Sequence, residues 1–316
     1  MTSVRNARFG DGSCGTHAET IPKDPGIRSR LQLVARDPYS GAVLFRLIPL
    51  LRCPDCSMQT LEAGEVMRQN ASTLTDGTLT CRSCKCDSSV LGGIWLAMGA
   101  RKPARTIAQL LNVVPPTPQL YERLWRHRSL SLISRGATST KTELDELRLA
   151  LRNENGSAER IVVDVACSEG LYARTLADAS TVVIAVDHSL GFLRRVVERS
   201  VGLPIVAVRA LAQHLPIGSG VVDGVVMGAS LNEIGDRTAA AMEMSRVTKP
   251  GGRLFSMSLI AAGTRPGRIA QKLAGTGGID FPTLTETVAL FTNAGFVVDT
   301  PRVDGVVARL SGHRSG

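Results

Sequence analysis

Short apolar runs that alternate with amphipathic segments fill the second half of the chain. Ile161–Val165 and Thr181–Asp187 are rich in β-branched residues, a composition that predicts strands buried on both faces. Thr140–Leu151 carries apolar residues at helical spacing and predicts an amphipathic helix that leads into the loop before the first of these strands. Alternating helices and strands predict an α/β fold around a largely parallel sheet.

The first predicted strand runs into a loop of small residues. Asp164 stands near the end of the strand, and Ala166, Ser168 and Gly170 then allow the backbone to turn tightly and approach a ligand. The second predicted strand ends in Asp187, 17 residues beyond Gly170, which is the spacing of one strand–loop–helix–strand unit. Ligands of open α/β sheets bind at the carboxyl ends of the strands, where a carboxylate can accept both hydroxyls of a ribose.

These features resemble the class I S-adenosylmethionine (SAM) dependent methyltransferases. The family's first motif usually reads Asp-x-Gly-x-Gly-x-Gly, and this chain has Asp164–Gly170 in its place, with Ala166 and Ser168 at two glycine positions. Later segments resemble, in family order, the third and fourth strand region, the Pro-Gly-Gly turn, and the closing helix and strand: Ala212–Pro216 with Val222–Val226, Arg246–Phe255 and Thr285–Val298. A nicotinamide-binding Rossmann domain is the alternative, and the absence of Gly-x-Gly-x-x-Gly argues against it.

The resemblance implies a Rossmann-like, doubly wound sheet of seven strands that binds SAM at its carboxyl edge. Asp187 would then accept the ribose hydroxyls, and His188 would lie beside the adenine. Many relatives have an acidic residue where this chain has Leu211, so the adenine would rest on apolar side chains and backbone groups near Leu211 and Ala212. The residues that the resemblance assigns to SAM binding are Asp164, Ala166, Cys167, Ser168, Gly170, Asp187, His188, Leu211, Ala212 and Met227.

The loop Ala229–Asp236 follows the fourth predicted strand, where the family's substrate end begins. Methyl transfer is an in-line displacement, so the main task of such an enzyme is to align donor and acceptor. Glu233 is the candidate general base, with Asn232 beside it, at positions where many relatives place His pairs. The alternative interpretation of Glu233 is a solvated Glu at the start of a helix.

A helix predicted at Gln119–Arg128 carries the candidate substrate residues. The segment is similar to one that precedes the transferase domain in ribbon-containing plastid and bacterial methyltransferases, where such helices form a lid over SAM and substrate. The resemblance implies that Tyr121, Trp125 and Arg128 face the pocket. The alternative is that Trp125 belongs to the packed face of this helix.

Five of the seven cysteines cluster ahead of the predicted transferase domain. Cys53 and Cys56 form one Cys-x-x-Cys pair, Cys81 and Cys84 form another, and 24 residues separate the two pairs. Two such turns complete a tetrahedral site of four thiolates, so the spacing predicts a zinc ribbon in which the metal is structural. Cys86 is the alternative to Cys84 as the fourth ligand, and Cys84 keeps the two-residue spacing of a knuckle.

Charge and hydropathy narrow the function classes. The chain of 316 residues carries a net charge of +9, of which residues 1–150 contribute +7 from 20 basic and 13 acidic residues. No stretch approaches the about 18 uninterrupted apolar residues that cross a bilayer, and the polar amino terminus lacks the apolar core of a signal peptide. The sequence therefore predicts a cytoplasmic protein without membrane association, and disulfides are disfavoured in that compartment.

The predicted organisation has four parts: a mobile segment at 1–40, a zinc-ribbon module at 41–100, a helical linker or lid at 101–156 and a SAM-binding methyltransferase domain at 157–316. We expect an enzyme that methylates a small molecule, such as a quinone-like or other specialised metabolite. The expected cofactors are SAM and one structural Zn²⁺. The pattern does not predict the acceptor or the oligomeric state.

Two other functions remain open. Ribosomal-RNA guanine-N1 methyltransferases also place a Cys-rich ribbon before a class I domain, and the basic amino-terminal half favours RNA as a partner. The ribbon, however, has no Tyr or Phe between Cys53 and Cys86 on which bases could stack. The second alternative is a SAM-binding protein that has lost methyl transfer. Leu211 supports this interpretation, because many relatives have an acidic residue at that position.

Overall fold

The computed structural model describes residues 43–70, 73–99, 139–152 and 159–316. Its strands are β1 Val43–Leu44, β2 Leu61–Asn70, β3 Thr73–Cys81, β4 Asp87–Leu91, β5 Ile94–Leu96, β6 Arg160–Val165, β7 Thr181–Asp187, β8 Ile205–Arg209, β9 Val222–Gly228, β10 Thr248–Leu259, β11 Phe296–Val298, β12 Arg302–Asp304 and β13 Val307–Arg314. Its helices are α1 Thr140–Ala150, α2 Leu171–Leu176, α3 Leu190–Arg199, α4 Arg237–Val247, α5 Arg265–Gly275 and α6 Leu284–Asn293, with 3₁₀ turns at Phe45–Leu50 and Leu231–Glu233.

Seven strands of the carboxyl-terminal part form a doubly wound sheet in the order β8-β7-β6-β9-β10-β13-β11. The pairs from β8 to β10 are parallel, and β13 runs antiparallel to both of its neighbours. The two buried apolar runs are β6 and β7, as predicted. The α/β class and the seven-stranded sheet are thus confirmed.

The third strand differs from the prediction. The segment Ala212–Pro216, expected in the third and fourth strand region, contains no strand, and β8 precedes it. Residues 205–208 are buried, which is the pattern of a central strand. The segment 212–216 lies between β8 and β9, and β9 contains the predicted Val222–Val226.

Helices cover both faces of this sheet. One layer of buried side chains comes from α1, α2 and α3, and includes Leu147, Tyr172 and Leu193. The opposite layer comes from α4 and α6 and includes Met244 and Phe291. Burial on both faces explains why the strands are nearly continuous apolar runs.

The cysteine-containing strands continue the same sheet. A meander of β2, β3, β4 and β5 ends with β5 paired in parallel to β8, Ile94 beside Ala207 and Leu96 beside Arg209. Gly92 and Gly93 form the two-residue turn from β4 to β5, with φ of 56° and 76°. A type I′ turn, which is favoured in two-residue hairpins, requires positive φ at both positions. The cysteine-containing strands are therefore built onto the β8 edge of the doubly wound sheet.

Several expectations lie outside the described residues: the mobile segment at 1–40, most of the linker at 101–156 and the helix at Gln119–Arg128. The helix predicted at 140–151 is confirmed as α1. Ser139 is its N-cap and accepts a hydrogen bond from the backbone N–H of Thr142. None of the described helices is long and apolar enough to span a bilayer.

Candidate functional site

The loop between β6 and α2 has an unusual backbone. Ala166, Ser168 and Gly170 have φ of 54°, 52° and 74°, so three alternate residues adopt the left-handed conformation. Glycine tolerates this conformation best, which explains the family's usual Gly-x-Gly-x-Gly and makes Ala166 and Ser168 strained substitutes. A side chain at Gly170 would lie 3.0 Å from a methyl of Val196, so this position needs glycine for space as well.

Asp164 fixes the helix that follows this loop. Its carboxyl is buried, and its Oδ2 accepts the backbone N–H of Ala173 at 2.9 Å, in the first turn of α2. A carboxylate at a helix amino terminus is favoured by the unpaired N–H groups there. This contact gives Asp164 a positioning role beside the loop.

Asp187 lies at the carboxyl end of β7, directly against the loop. Its Oδ2 accepts the backbone N–H of Ser168 at 3.0 Å, and its Oδ1 accepts that of Ser189 at 2.8 Å. Burial raises the pKa of Asp187, and the nearby His188 and the two backbone N–H groups oppose this shift. Each carboxylate oxygen has two acceptor sites, so both retain capacity for a ligand hydroxyl.

The segment after β8 meets the same edge. The backbone N–H of Ala210 donates to the carbonyl of Asp187 at 3.1 Å, and Arg209 Nε donates to the carbonyl of His188 at 3.0 Å. Leu211 is half-buried and Ala212 is buried. These bonds place the backbone that leads into Leu211 and Ala212 next to Asp187.

Two further predicted SAM residues, Cys167 and Met227, are buried. Burial raises the pKa of the Cys167 thiol well above its usual range, with Asp164 and Asp187 adding to the shift, so this thiol is neutral and a poor nucleophile. Met227 is fully buried in the core beneath the edge. Ser230 lies above it and donates from Oγ to the carbonyl of Ala166 at 3.0 Å, joining the loop after β9 to the loop after β6.

Asn232 and Glu233 lie in the 3₁₀ turn after β9. The buried amide of Asn232 donates to the carbonyls of Leu259 and Asp280 at 2.7 and 2.6 Å and accepts the Leu259 N–H at 2.9 Å. These bonds join the turn after β9 to the end of β10 and to the loop that contains Asp280. Glu233 is half-buried at the same edge. A direct part for either residue in catalysis stays a prediction.

Sequence reasoning missed Glu169, which lies inside the loop. Its carboxylate is buried and pairs with Arg199, while Arg195 Nε lies 3.5 Å away. Both arginines lie on α3, so the pair joins the loop to the helix after β7. No signal in the sequence pointed to this pair, because it depends on the contact between the loop and α3 in the folded chain.

Comparison with known proteins identifies the domain in which this edge lies. Residues 163–256, which contain the loop, Asp187 and the turn after β9, match the family model described as a methyltransferase domain. The strand order and the site geometry agree with that match. The chain carries a class I SAM-dependent methyltransferase domain.

Two relatives of this methyltransferase domain are informative. An uncharacterized methyltransferase of Arabidopsis thaliana, described as chloroplastic, is 28% identical over 231 residues, which are 68% of this chain and 62% of the relative. A demethylmenaquinone methyltransferase of Corynebacterium urealyticum is 37% identical over 93 residues, 29% of this chain and 39% of that protein. The chain therefore spans only 62% and 39% of the lengths of these relatives.

One solved structure also matches. A chain from the complex between the Haloferax volcanii Trm112 methyltransferase activator and a putative methyltransferase has a TM-score of 0.50 and 14% identity. The match covers 67% of this chain and 100% of that chain. At this identity the likeness concerns the fold alone.

A cluster of four thiols lies beside the methyltransferase domain. The sulfurs of Cys53, Cys56, Cys81 and Cys84 all lie within 4.8 Å of one another, a group that could hold a metal ion. Cys53 Sγ is 3.6 Å from Cys84 Sγ, and Cys56 Sγ is 3.6 Å from Cys81 Sγ. Of the two candidates for the fourth position, the structure brings Cys84 into this group and not Cys86.

The two cysteine turns have the same backbone conformation. In each, the residue after the second cysteine is left-handed: Ser57 has φ of 63° and Lys85 has φ of 64°. Ser57 N–H donates to the Cys53 carbonyl at 3.0 Å, and Lys85 N–H donates to the Cys81 carbonyl at 2.8 Å. Each turn thereby presents two thiols on the same side.

The electrostatic environment differs between thiols of the cluster. Burial raises the pKa of Cys53. Burial also acts to raise that of Cys81, but hydrogen bonds from Thr60 and from the backbone of Cys84 and Ser83 outweigh it and lower the pKa to about 6. The hydroxyl oxygen of Thr60 lies 3.3 Å from the Cys81 sulfur. These donors stabilise a thiolate at Cys81.

The ribbon contacts the methyltransferase domain just after Leu211 and Ala212, the adenine segment of the sequence prediction. Arg52 N–H donates to the carbonyl of Pro216 at 3.1 Å, and Arg52 Nε donates to that of Leu215 at 3.0 Å. Glu243 on α4 accepts hydrogen bonds from Arg52 Nη2 at 2.8 Å and from the Leu215 N–H at 2.7 Å. The first cysteine turn therefore adjoins the loop that continues from Ala212. The predicted substrate residues Tyr121, Trp125 and Arg128 lie outside the described residues.

Proposed function

We propose that this protein is an enzyme that transfers the methyl group of SAM to a small-molecule acceptor. One observation carries the proposal: the left-handed loop of Ala166, Ser168 and Gly170 is hydrogen-bonded directly to the carboxylate of Asp187. Small residues at a close backbone approach, next to a carboxylate with free acceptor sites, suit a nucleoside whose ribose hydroxyls face Asp187. The residues present therefore fit SAM.

Bound SAM supplies an electrophilic methyl group on a sulfonium. The acceptor atom forms the new bond to the methyl carbon while the bond to sulfur breaks, and S-adenosylhomocysteine leaves. Asp187 holds the ribose and the segment of Leu211 and Ala212 covers the adenine, which together fix the direction of the methyl group. Alignment of this kind supplies most of the rate enhancement in an in-line displacement.

The protein's residues on the acceptor side have distinct parts in this proposal. Asn232 is a positioning residue, because its side-chain amide forms hydrogen bonds with the backbone of Leu259 and Asp280. Glu233 accepts the proton that a hydroxyl or carbon acid loses on methylation, or orients a polar acceptor. Tyr121, Trp125 and Arg128 lie outside the described residues and stay the predicted substrate residues.

A quinone-like acceptor is the substrate class that we favour. The support is the 37% identity, over 93 residues, to a protein described as demethylmenaquinone methyltransferase. RNA is the second candidate, supported by the +7 charge of residues 1–150. The absence of stacking aromatics between Cys53 and Cys86 favours the small molecule.

We further propose that the four thiols hold one structural Zn²⁺. A tetrahedral Zn²⁺ with Zn–S bonds of about 2.3 Å places its sulfurs about 3.8 Å apart. The two 3.6 Å sulfur pairs and the matched turns fit that geometry. Four thiolate ligands leave no open position for water or substrate, so the metal's part is to stabilise the ribbon.

Calorimetric titration with SAM tests the donor site. Replacing Asp187 with Ala removes a charged acceptor worth about 1.5–3 kcal/mol, so we expect SAM affinity to fall by about ten- to a hundredfold. Asp299→Ala changes an exposed carboxylate far along the chain and should leave the affinity unchanged. Equal affinities for the Asp187→Ala variant and the wild-type protein would refute the assignment.

Acceptor choice is tested by two assays on the full chain. With methyl-labelled SAM, we expect transfer to a demethylated naphthoquinol and no retention of RNA on filters at physiological salt. Phosphate contacts release counterions, so RNA binding that falls steeply with salt would favour the second candidate. Labelling of RNA without labelling of any quinol would overturn the small-molecule assignment.

Elemental analysis of the purified protein tests the metal. We expect one zinc per chain in the wild-type protein, loss of zinc in Cys84→Ser, and retention in Cys86→Ser. A folded wild-type chain without zinc would contradict the proposal. Retention of zinc in Cys84→Ser and its loss in Cys86→Ser would instead make Cys86 the fourth ligand.

A further inference from the structure

Helix α5 (Arg265–Gly275) carries the most exposed large apolar side chains of the described residues. Ile269 is 71% exposed and Leu273 is 73% exposed, and no residue of this helix is buried. The helix nevertheless starts at a defined N-cap, Thr264, whose side chain accepts the backbone N–H of Gly267. A well-formed helix that presents its large apolar side chains to water is typical of a contact surface.

The exposed apolar residues form one stripe. Pro266, Ile269, Ala270 and Leu273 have the spacing of one helix face, and all four are exposed. The opposite face is fixed to the domain by Gln271, whose Nε2 donates to the carbonyl of Ile260 at 2.9 Å and whose Oε1 accepts the N–H of Ala262 at 2.7 Å. The stripe therefore points away from the domain.

A basic stripe runs beside the apolar one. Arg265, Arg268 and Lys272 are all exposed and again share helical spacing, and the helix contains no acidic residue. Arg268 also donates to the carbonyls of Ala262 and Gly263 at 3.2 and 3.0 Å, which holds it at the edge of the stripe. A basic side next to an apolar side is the pattern of a helix that lies in the surface of an anionic membrane.

Contrary to the sequence-based expectation of no membrane association, we propose that α5 docks the protein onto the surface of a bilayer that contains anionic lipids. The apolar stripe would enter the headgroup boundary, and the three basic side chains would meet lipid phosphates. The net charge of +9 favours the same approach. The nearest acidic residue after the helix, Asp280, is paired with Arg237 at 2.6 Å and so opposes the contact little.

The position of the helix gives this docking a consequence for the site. Gln271 is bonded to residues 260–262, which directly follow β10, and Asn232 bonds the last residue of that strand. Docking through α5 therefore places the carboxyl edge of the sheet close to the lipid surface. This inference extends the proposed function to an acceptor held in a membrane, but the docking itself does not require methyl transfer.

Vesicle co-sedimentation of the full chain tests the proposal. We expect binding to phosphatidylcholine vesicles that contain phosphatidylglycerol, and much weaker binding to phosphatidylcholine alone. The double variant Ile269→Ser with Leu273→Ser should partition about tenfold or more weakly, because two large apolar side chains no longer leave water. The pair Arg265→Gln with Lys272→Gln should lose the preference for anionic vesicles.

Matched variants show whether binding depends on the α5 stripe in particular. Leu149→Ser removes a 58% exposed leucine on α1 and should bind vesicles like the wild-type protein. Transfer to a water-soluble acceptor should be unchanged in the α5 variants, so failure of docking and failure of the enzyme assignment are distinguishable. Vesicle binding that is equal in all variants would overturn the proposal, and so would a dimer in solution that only the Ile269→Ser and Leu273→Ser variant dissociates.

Discussion

The substitution Glu243→Gln tests whether the ribbon supports the SAM site. Glu243 contacts the ribbon through Arg52, the loop after the adenine segment through the Leu215 N–H, and its own helix through Arg246. Only 14% of the Glu243 side chain and 13% of the Arg52 side chain are exposed. Glutamine keeps the size of the side chain and removes its charge.

Removing one partner of a buried ion pair costs about 3–5 kcal/mol, because the remaining charge stays in a poorly hydrated place. Some water reaches these side chains, so we expect a loss of about 3 kcal/mol in the free energy of unfolding. Burial acts to raise the pKa of Glu243, but Arg246, Arg52 and the Leu215 N–H outweigh it and lower the pKa below 4.5. The carboxylate therefore stabilises the fold above that value, and the contribution is lost as the pH falls through the lowered pKa.

Urea unfolding at several pH values measures this effect. The difference between the wild-type protein and Glu243→Gln should be full at neutral pH and should shrink below pH 4.5, where the wild-type carboxyl also becomes neutral. The exposed Glu198→Gln on α3 is the matched control and should differ little from wild type. SAM affinity of the folded variant should fall as well. A variant as stable as wild type at neutral pH, with unchanged SAM affinity, would refute the coupling.

The other predictions concern single positions. Ala166→Gly relieves a left-handed alanine and, after the entropic cost of glycine, should raise the free energy of unfolding by about 0.5–1 kcal/mol, measured by thermal unfolding. Ser88→Ala removes the hydrogen bonds of Ser88 with the buried Trp95 indole N–H and with the Leu79 carbonyl. We expect the free energy of unfolding, measured in urea, to fall by about 1–3 kcal/mol. Asn232→Ala breaks three bonds to the backbone, and we expect a lower kcat with SAM affinity nearly unchanged; an intact kcat would contradict its positioning role.

The central strands and the first loop of the methyltransferase domain were predictable from the sequence. A strand that is buried on both faces consists almost entirely of apolar, β-branched residues. β6 and β7 are runs of Val and Ile, and the loop between β6 and α2 needs small residues for its left-handed backbone. The pairing of Cys53, Cys56, Cys81 and Cys84 was equally visible, since a two-residue spacing fixes the geometry of each turn.

The remaining features depend on contacts between segments far apart in the chain. β5 has three residues, too few for any periodicity, and its parallel pairing with β8 joins residues more than a hundred positions apart. Asn232 could be placed at the acceptor side from its position after β9, but its bonds to Leu259 and Asp280 follow only from the folded loops. The same holds for Glu169, which the sequence could not distinguish from a solvated loop residue.

The pairing of β5 with β8 stabilises both the ribbon and the methyltransferase domain. Without β5, β8 would be an exposed edge strand with unpaired N–H and C=O groups, which invites pairing with other chains. The ribbon, in turn, is too small to bury a core of its own, and its Trp95, on β5, is fully buried where the ribbon strands meet β8. Because Arg52 directly precedes Cys53 and also holds Leu215, a metal bound by the cysteines would stabilise the adenine segment from behind. A metal bound there would thus act on SAM binding without approaching the ligand.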